Sequence, residues 1–362
     1  MRPSSTIFCI LPSLLSATLA TTACAAPEEQ PPVQPIVVTA PVAEDADDPA
    51  LWIDTADVTR SRILGTDKSD SAGGVYLFDL EGRIDASRTR RPLLRPNNVD
   101  VLHQVLLGGE RMDIAVATER GAQSIRVFRL PDMTPIDGGG IPVFDGDRNR
   151  APMGVALYER PTDGTVYAIV GGKGGPADSY LWQLQLRRDA DGVVRGAPVR
   201  RFGQFSGRKE IEAIAVDRSL GFVYYSDETF GIRKYHADPD HPDAAKELAV
   251  FGTSGFVSDH EGIGIYPTSD STGFLVVSDQ QGQRIQLFPR EGRTGAPHQH
   301  ERLATIPVSA KETDGLEVTA TPMGPRFPEG VLVMMSTDRT FHLYDWRDIR
   351  KRLPARYQSV TR

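Results

Sequence analysis

The chain predicts an all-β fold: a six-bladed β-propeller of four-stranded antiparallel blades. Three sets of segments predict it. The first recurs six times: VYLFDL at 75, IRVFRL at 125, LWQLQL at 181, IRKYHA at 232, IQLFPR at 285 and FHLYDW at 341. Each alternates side chains as a half-buried strand does. Their fourth residues, Phe78, Phe128, Leu184, Tyr235, Phe288 and Tyr344, are spaced by 50, 56, 51, 53 and 56 positions. A strand-only repeat of that period is the mark of a propeller blade.

The second set precedes the first and is more apolar, ending in polar residues: RILGTDK from 62, DIAVATER from 113, VYAIVGGK from 166, VYYSDE from 223, FLVVSDQ from 274 and VLVMMSTD from 331. The third comes one strand earlier: DPALWID, NNVDVL, MGVALY, EAIAVD, EGIGIY and DGLEVT, four of which open with an acid. Each blade therefore reads as an inner, a second and a third strand, with a weakly marked outer one.

In an antiparallel meander, the start of the inner strand lies beside the end of the second. Those corners converge at one end of the central channel. They bring Asp48, Asp67, Glu119, Glu212, Asp227, Glu228, Glu261, Asp279, Asp314 and Asp338 together, with Lys68, Arg120 and Lys173 among them and Asp259 and Gln280 adjacent. Turn-shaping accounts for a single Asp at such a corner. It does not account for Glu at the start of an inner strand, where acids are disfavoured. So crowded a ring repels itself and calls for counterions.

The oxygen-only donor set suits Ca²⁺. The seven histidines are scattered without a zinc spacing, and only His260 stands beside the acids. Lys and Arg facing a cation site make sense when a multiply charged anion lies between them. The chain has no R-H-G-x-R motif, no C-x5-R loop, no P-loop and no G-x-S-x-G elbow. The remaining phosphatase route is direct attack by a metal-activated water.

The 362 residues are 40% hydrophobic, ample for a core, and the formal charge of -7 argues against nucleic acid as a partner. Residues 1–25 read as an export signal, with Arg2 before an apolar run and Ala23 and Ala25 placed for cleavage. The alternative is a lipoprotein site that anchors the chain through acylated Cys24. Residues 26–43 read as a proline-rich tether, 44–350 as the propeller and 351–362 as a C-terminal tail. Both cysteines, Cys9 and Cys24, lie in the leader, so the folded part has neither disulfide nor thiol nucleophile. The protein is expected to be periplasmic or secreted, and monomeric.

The ordered motifs DADDPALW, NNVDV, ATER, GGKGG, EIEAIAVD, YYSDE, SDHEGIGIY, SDQQGQ and TDGLEVT resemble those of the β-propeller phytases. The resemblance covers roughly residues 44–348. It implies a calcium-dependent 3-phytase that removes phosphate from myo-inositol hexakisphosphate. It implies that Lys68, Arg120 and Lys173 contact phosphate with Gln280 beside them, and that Glu212 and Glu228 take part in catalysis. It implies calcium held by Glu212, Asp227, Glu228, Asp259, Glu261 and Asp314, with Asp48 and Asn98 supporting structural calcium, and residues 35–45 adding a strand that closes the ring. The chain departs from the family pattern at the single lysine of DKS, at Met153 and at GGPAD after Lys173. A calcium-dependent propeller lactonase and a non-catalytic binding propeller are the alternative readings.

Overall fold

Hydrogen bonding sorts the strands into six antiparallel sheets, each one blade. The protein is seen in a computed structural model that describes Met1 and residues 30–358, and the compact unit runs from Pro32 onward. The leader reading, with Cys9, Cys24 and both processing alternatives, lies outside the described residues.

The inner strands are Ala46–Trp52, Pro96–Leu107, Pro152–Glu159, Ile214–Asp217, Ile263–Pro267 and Leu316–Thr319. The second strands are Arg62–Asp67, Glu110–Glu119, Val166–Gly172, Phe222–Asp227, Gly273–Asp279 and Val331–Ser336. The third strands begin at Gly73, Ser124, Leu181, Gly231, Arg284 and Thr340. All three predicted sets are therefore strands in the predicted order. The outer strands are short, such as Ile141–Pro142 and Ala249–Phe251.

The sixth blade takes its outer strand from the other end of the chain. Val37–Val38 pairs antiparallel with His342 and Leu343. Flanking bonds extend the seam: Ile36 N to Leu343 O at 2.9 Å, Thr39 N to Phe341 O at 3.0 Å and Val42 N to Arg339 O at 2.9 Å. Val33 also bridges to Val308 of the fifth blade. The propeller thus begins inside the stretch whose proline content reads as a tether, because its backbone groups are used in the seam. At the other end, Trp346 stacks on Tyr266 at 3.7 Å and 11°, and Leu353 is buried with it, so the wall continues past residue 350.

The apolar cores lie between blades. Leu102, Val116 and Val127 of the second blade pack on Leu157, Val170 and Trp182 of the third. Val276 and Leu287 of the fifth pack on Leu332 and Met334 of the sixth. Near the axis the inner strands approach closely: a Cβ at Gly154 would lie 1.8 Å from Glu212 O. At the mouth end, the first three inner strands carry irregularities between Ala46 and Pro49, Pro96 and Val99, and Pro152 and Val155. Such bulges place consecutive side chains against a single partner and re-aim them.

The seam yields a direct expectation. A chain starting at residue 44 should melt below one starting at residue 30, by calorimetry at equal concentration, because the sixth blade loses its outer strand. Equal melting temperatures would show that the seam adds nothing to stability.

Candidate active site at the channel mouth

Position within the repeat separates the mouth acids into two kinds. Those ending second strands anchor backbone. Asp67 accepts from the N–H groups of Glu44 and Asp45 at 3.2 and 3.0 Å. Glu119 accepts from Leu94 N at 2.8 Å and from Arg126 at 3.1 Å. Asp279 accepts from Val257 N at 2.9 Å and Arg284 Nε at 2.6 Å. Asp227 accepts from Ser206 N at 2.8 Å, Ser206 Oγ at 2.7 Å and Arg233 Nε at 2.9 Å. Each holds the segment leading into its own blade's inner strand. Asp227, expected to face a metal, accepts from that loop and from Arg233 in this structure. Asp338 accepts from Thr340 Oγ1 at 2.6 Å and shapes its own turn.

The acids at or just before the inner strands face the axis, and so does Glu228, one residue past the fourth blade's second strand. Glu210, Glu212 and Glu228 bring carboxylate oxygens within 4.8 Å of one another, as do Glu228, Asp259 and Glu261. Glu228 belongs to both triads and is fully buried. Its Oε1 and Glu261 Oε2 are buried with no hydrogen-bond partner. Lys209 stands inside the second triad, its Nζ 2.7 Å from Glu228, 3.0 Å from Asp259 and 3.4 Å from Glu261.

A second network starts from the first, second and sixth blades and reaches the fourth and fifth through Glu212 and Gln280. Lys68 Nζ donates to Asp47 at 2.7 Å and more closely to Asp314, which also accepts from Gln280 Nε2 at 2.5 Å. Asn97 donates to Asp47 at 2.8 Å and, by a shorter contact, to Glu212. The Asn97 carbonyl in turn accepts from Arg120 at 3.0 Å. Arg120 Nε is buried without a partner. Lys173 is half exposed and pairs with Glu210 at 3.3 Å. The mouth thus unites Lys68, Arg120, Lys173, Glu212, Glu228, Asp259, Glu261, Asp314 and Gln280.

Asp48 and Asn98 sit lower. They line a channel cavity of about 230 Å³ with Asp100, Glu317 and Arg218. Asp48 accepts from Val99 N at 3.0 Å, and Asn98 accepts from Asn97 at 3.1 Å.

Four residues at the mouth went unassigned from sequence: Asp47, Asn97, Lys209 and Glu210. Asp47 and Asn97 directly precede the assigned Asp48 and Asn98. The bulges turn both members of each pair inward, where strict alternation would turn one away. Glu210 stands two positions before Glu212 in EIEAIAVD, and that spacing was the available signal.

Electrostatics mark this as a cation-poor cluster. Burial, then Asp47, Glu261 and Asp314, raise Glu212 well above the carboxylate range. Burial and Glu228 do the same to Glu261. Burial lifts Glu228 to about 8 against the pull of Lys209. Burial and Asp47 lift Asp314 to about 6. Burial opposes the charge of Lys68, but Asp47 and Asp314 outweigh it and hold the ammonium protonated. Seven acidic groups (Asp47, Glu210, Glu212, Glu228, Asp259, Glu261, Asp314) face four cations (Lys68, Arg120, Lys173, Lys209), so the cations cannot pair with every acid. Crowded carboxylates with orphaned oxygens are the donor set of a hard divalent cation, which takes about six to eight oxygens.

A family model described as Phytase matches residues 4–342. The chain belongs to the Phytase family. Among curated relatives it is similar to the 3-phytase of Bacillus subtilis (strain 168), 26% identical over 332 residues, covering 87% of this chain and 84% of the relative. Two solved structures share the fold alone. One is regucalcin, a calcium-binding protein of Agrobacterium tumefaciens (TM-score 0.52, 9% identity, 86% of this chain and 96% of that one). The other is the hydrazine synthase of Kuenenia stuttgartiensis (TM-score 0.50, 10% identity, 83% of each chain). At the mouth of this Phytase-family chain, acids meet lysine and arginine side chains.

The channel supplies a pH expectation. Burial and Asp100 lift Glu317 to about 8. A carboxyl raised in the folded state contributes stability below its unfolded value and loses it as pH rises through the folded one. In chelator, the advantage of Glu317→Gln over wild type in urea unfolding should therefore grow between about pH 5 and pH 8. A pH-independent difference would show that Glu317 titrates normally.

Proposed function

We propose that the protein is a calcium-dependent phytase that releases phosphate from myo-inositol hexakisphosphate by direct attack of water. The observation that carries this reading is Glu228, a buried carboxylate shared by two acid triads and left with an orphaned oxygen. Glu212, Glu228, Asp259, Glu261 and Asp314, joined by Glu210, are the residues that would hold calcium. Bound there, Ca²⁺ supplies charge neutralisation and a water acidic enough to react near neutral pH.

The remaining work falls to the chain's own side chains. Arg120 meets the substrate with a guanidinium whose charge is only partly satisfied: one nitrogen is held by Asn97 and Nε is unpartnered. Asn97 orients it, because the same side chain also ties Asp47 and Glu212 in place. Lys68 is fixed between Asp47 and Asp314 and presents a permanent positive charge to phosphate oxygens. Lys173, more exposed, engages an incoming phosphate at the rim. Phosphoryl transfer needs little covalent chemistry, and positioning with charge stabilisation provides most of its catalysis. The water oxygen bonds to phosphorus as the bond to the inositol oxygen breaks; the water gives up a proton and the departing inositol oxygen takes one up as a hydroxyl, so no enzyme nucleophile is required.

In this reading the substrate is a small polyanion, the chain acts as a monomer, and residues 1–25 direct it out of the cytoplasm. The test is inorganic phosphate released from phytate with excess Ca²⁺, then with chelator, then with Ca²⁺ restored. Glu228→Gln and Glu212→Gln should each lose about 100-fold or more in turnover while remaining folded. Wild-type turnover in either variant would remove the proposed site. Lack of release from folded wild type at any calcium level would overturn the activity itself.

A further inference from the structure

Lys209 occupies the place a cation would take in the second acid triad. Its Nζ lies within 3.4 Å of all three carboxylates, and Glu228 and Glu261 are buried around it. Its own side chain is 40% exposed, so the ammonium reaches in from the mouth on a flexible stem. The segment bearing it is anchored on one side by Ser206, held by Asp227, and on the other by Glu228 N bonding to Glu210 O at 3.2 Å. The backbone is thus fixed while the side chain is free to leave. No other cation contacts Glu228, Asp259 or Glu261 among the described residues.

Resting on the calcium site proposed above, we infer that Lys209 is a tethered counterion that holds the triad together without metal and must be displaced when a divalent cation binds. The ammonium and the metal compete for the same oxygens. A single charge with three donors cannot reach every oxygen of three carboxylates, and Glu228 Oε1 and Glu261 Oε2 are left without a partner. A divalent ion coordinates them by geometry that a lysine lacks. The chain therefore trades calcium affinity for an acid cluster that remains assembled in its absence.

The test uses calorimetric Ca²⁺ titration and thermal melts of the whole folded chain, with Lys209→Met, Lys209→Gln and Arg208→Met. Arg208 is exposed, one residue away, and donates to Thr229 O at 2.8 Å rather than to the triad. The Lys209 variants should bind Ca²⁺ about tenfold more tightly. They should melt lower than wild type in chelator and at the same temperature in saturating Ca²⁺. Arg208→Met should shift affinity far less. Unchanged or weaker binding in the Lys209 variants would overturn the displacement, as would an equal shift in Arg208→Met, which would reduce the effect to the general field. If wild type binds Ca²⁺ and Glu228→Gln does not, the site stands whatever Lys209 does. If wild type takes up no Ca²⁺ at Glu228, site and counterion inference fall together.

Discussion

Mutual repulsion among buried carboxylates is the constraint around which this molecule is arranged. Acids from the first, fourth, fifth and sixth blades gather around Glu228 and Glu212, where burial alone already disfavours their charge. Such a cluster persists only if the surrounding scaffold is stiff and something positive enters. The blades supply the stiffness through apolar cores placed between neighbours, so that the axis is left to polar groups. Lysines at 68 and 209 supply part of the charge, and Asn97 joins the two halves of the mouth by bonding to Asp47, Glu212 and Arg120.

The repeat itself does chemical sorting. An acid at the end of a second strand meets the N–H groups of a loop, and its charge is spent on backbone. An acid at the start of an inner strand meets other acids across the axis. Both kinds are Asp or Glu in polar corners, yet only the second is available to a ligand. Glu228, one residue past a second strand, departs from this rule: Asp227 before it faces Ser206 and Arg233, while Glu228 itself faces the triads.

The inner, second and third strands were legible because period-two alternation and the regular spacing survive in every blade. The outer strands were not, since two or three residues such as Ile141–Pro142 or Ala249–Phe251 carry no periodic signal. At the mouth, most acids could be read from their corner. Asp47 and Asn97 could not, because their orientation depends on bulges that alternation does not encode. Asp227 is a related case: identity and position reveal that an acid is present, but not which donors reach it. Lys209 has no repeat counterpart, so its place in the triad emerged only from three dimensions.

The seam between Val37–Val38 and the strand ending at Asp345 has a further implication for the life of the chain. Five blades are each drawn from one continuous stretch and can form as that stretch becomes available. The sixth needs partners from opposite ends of the polypeptide, and a contact between residues 37 and 343 is about as non-local as this chain permits. A chain whose residues 340–345 have yet to emerge is therefore an open arc with one blade incomplete. The ring becomes a ring only when residues 37–38 meet residues 342–343, and until then the axis on which the acids gather has a gap in its wall.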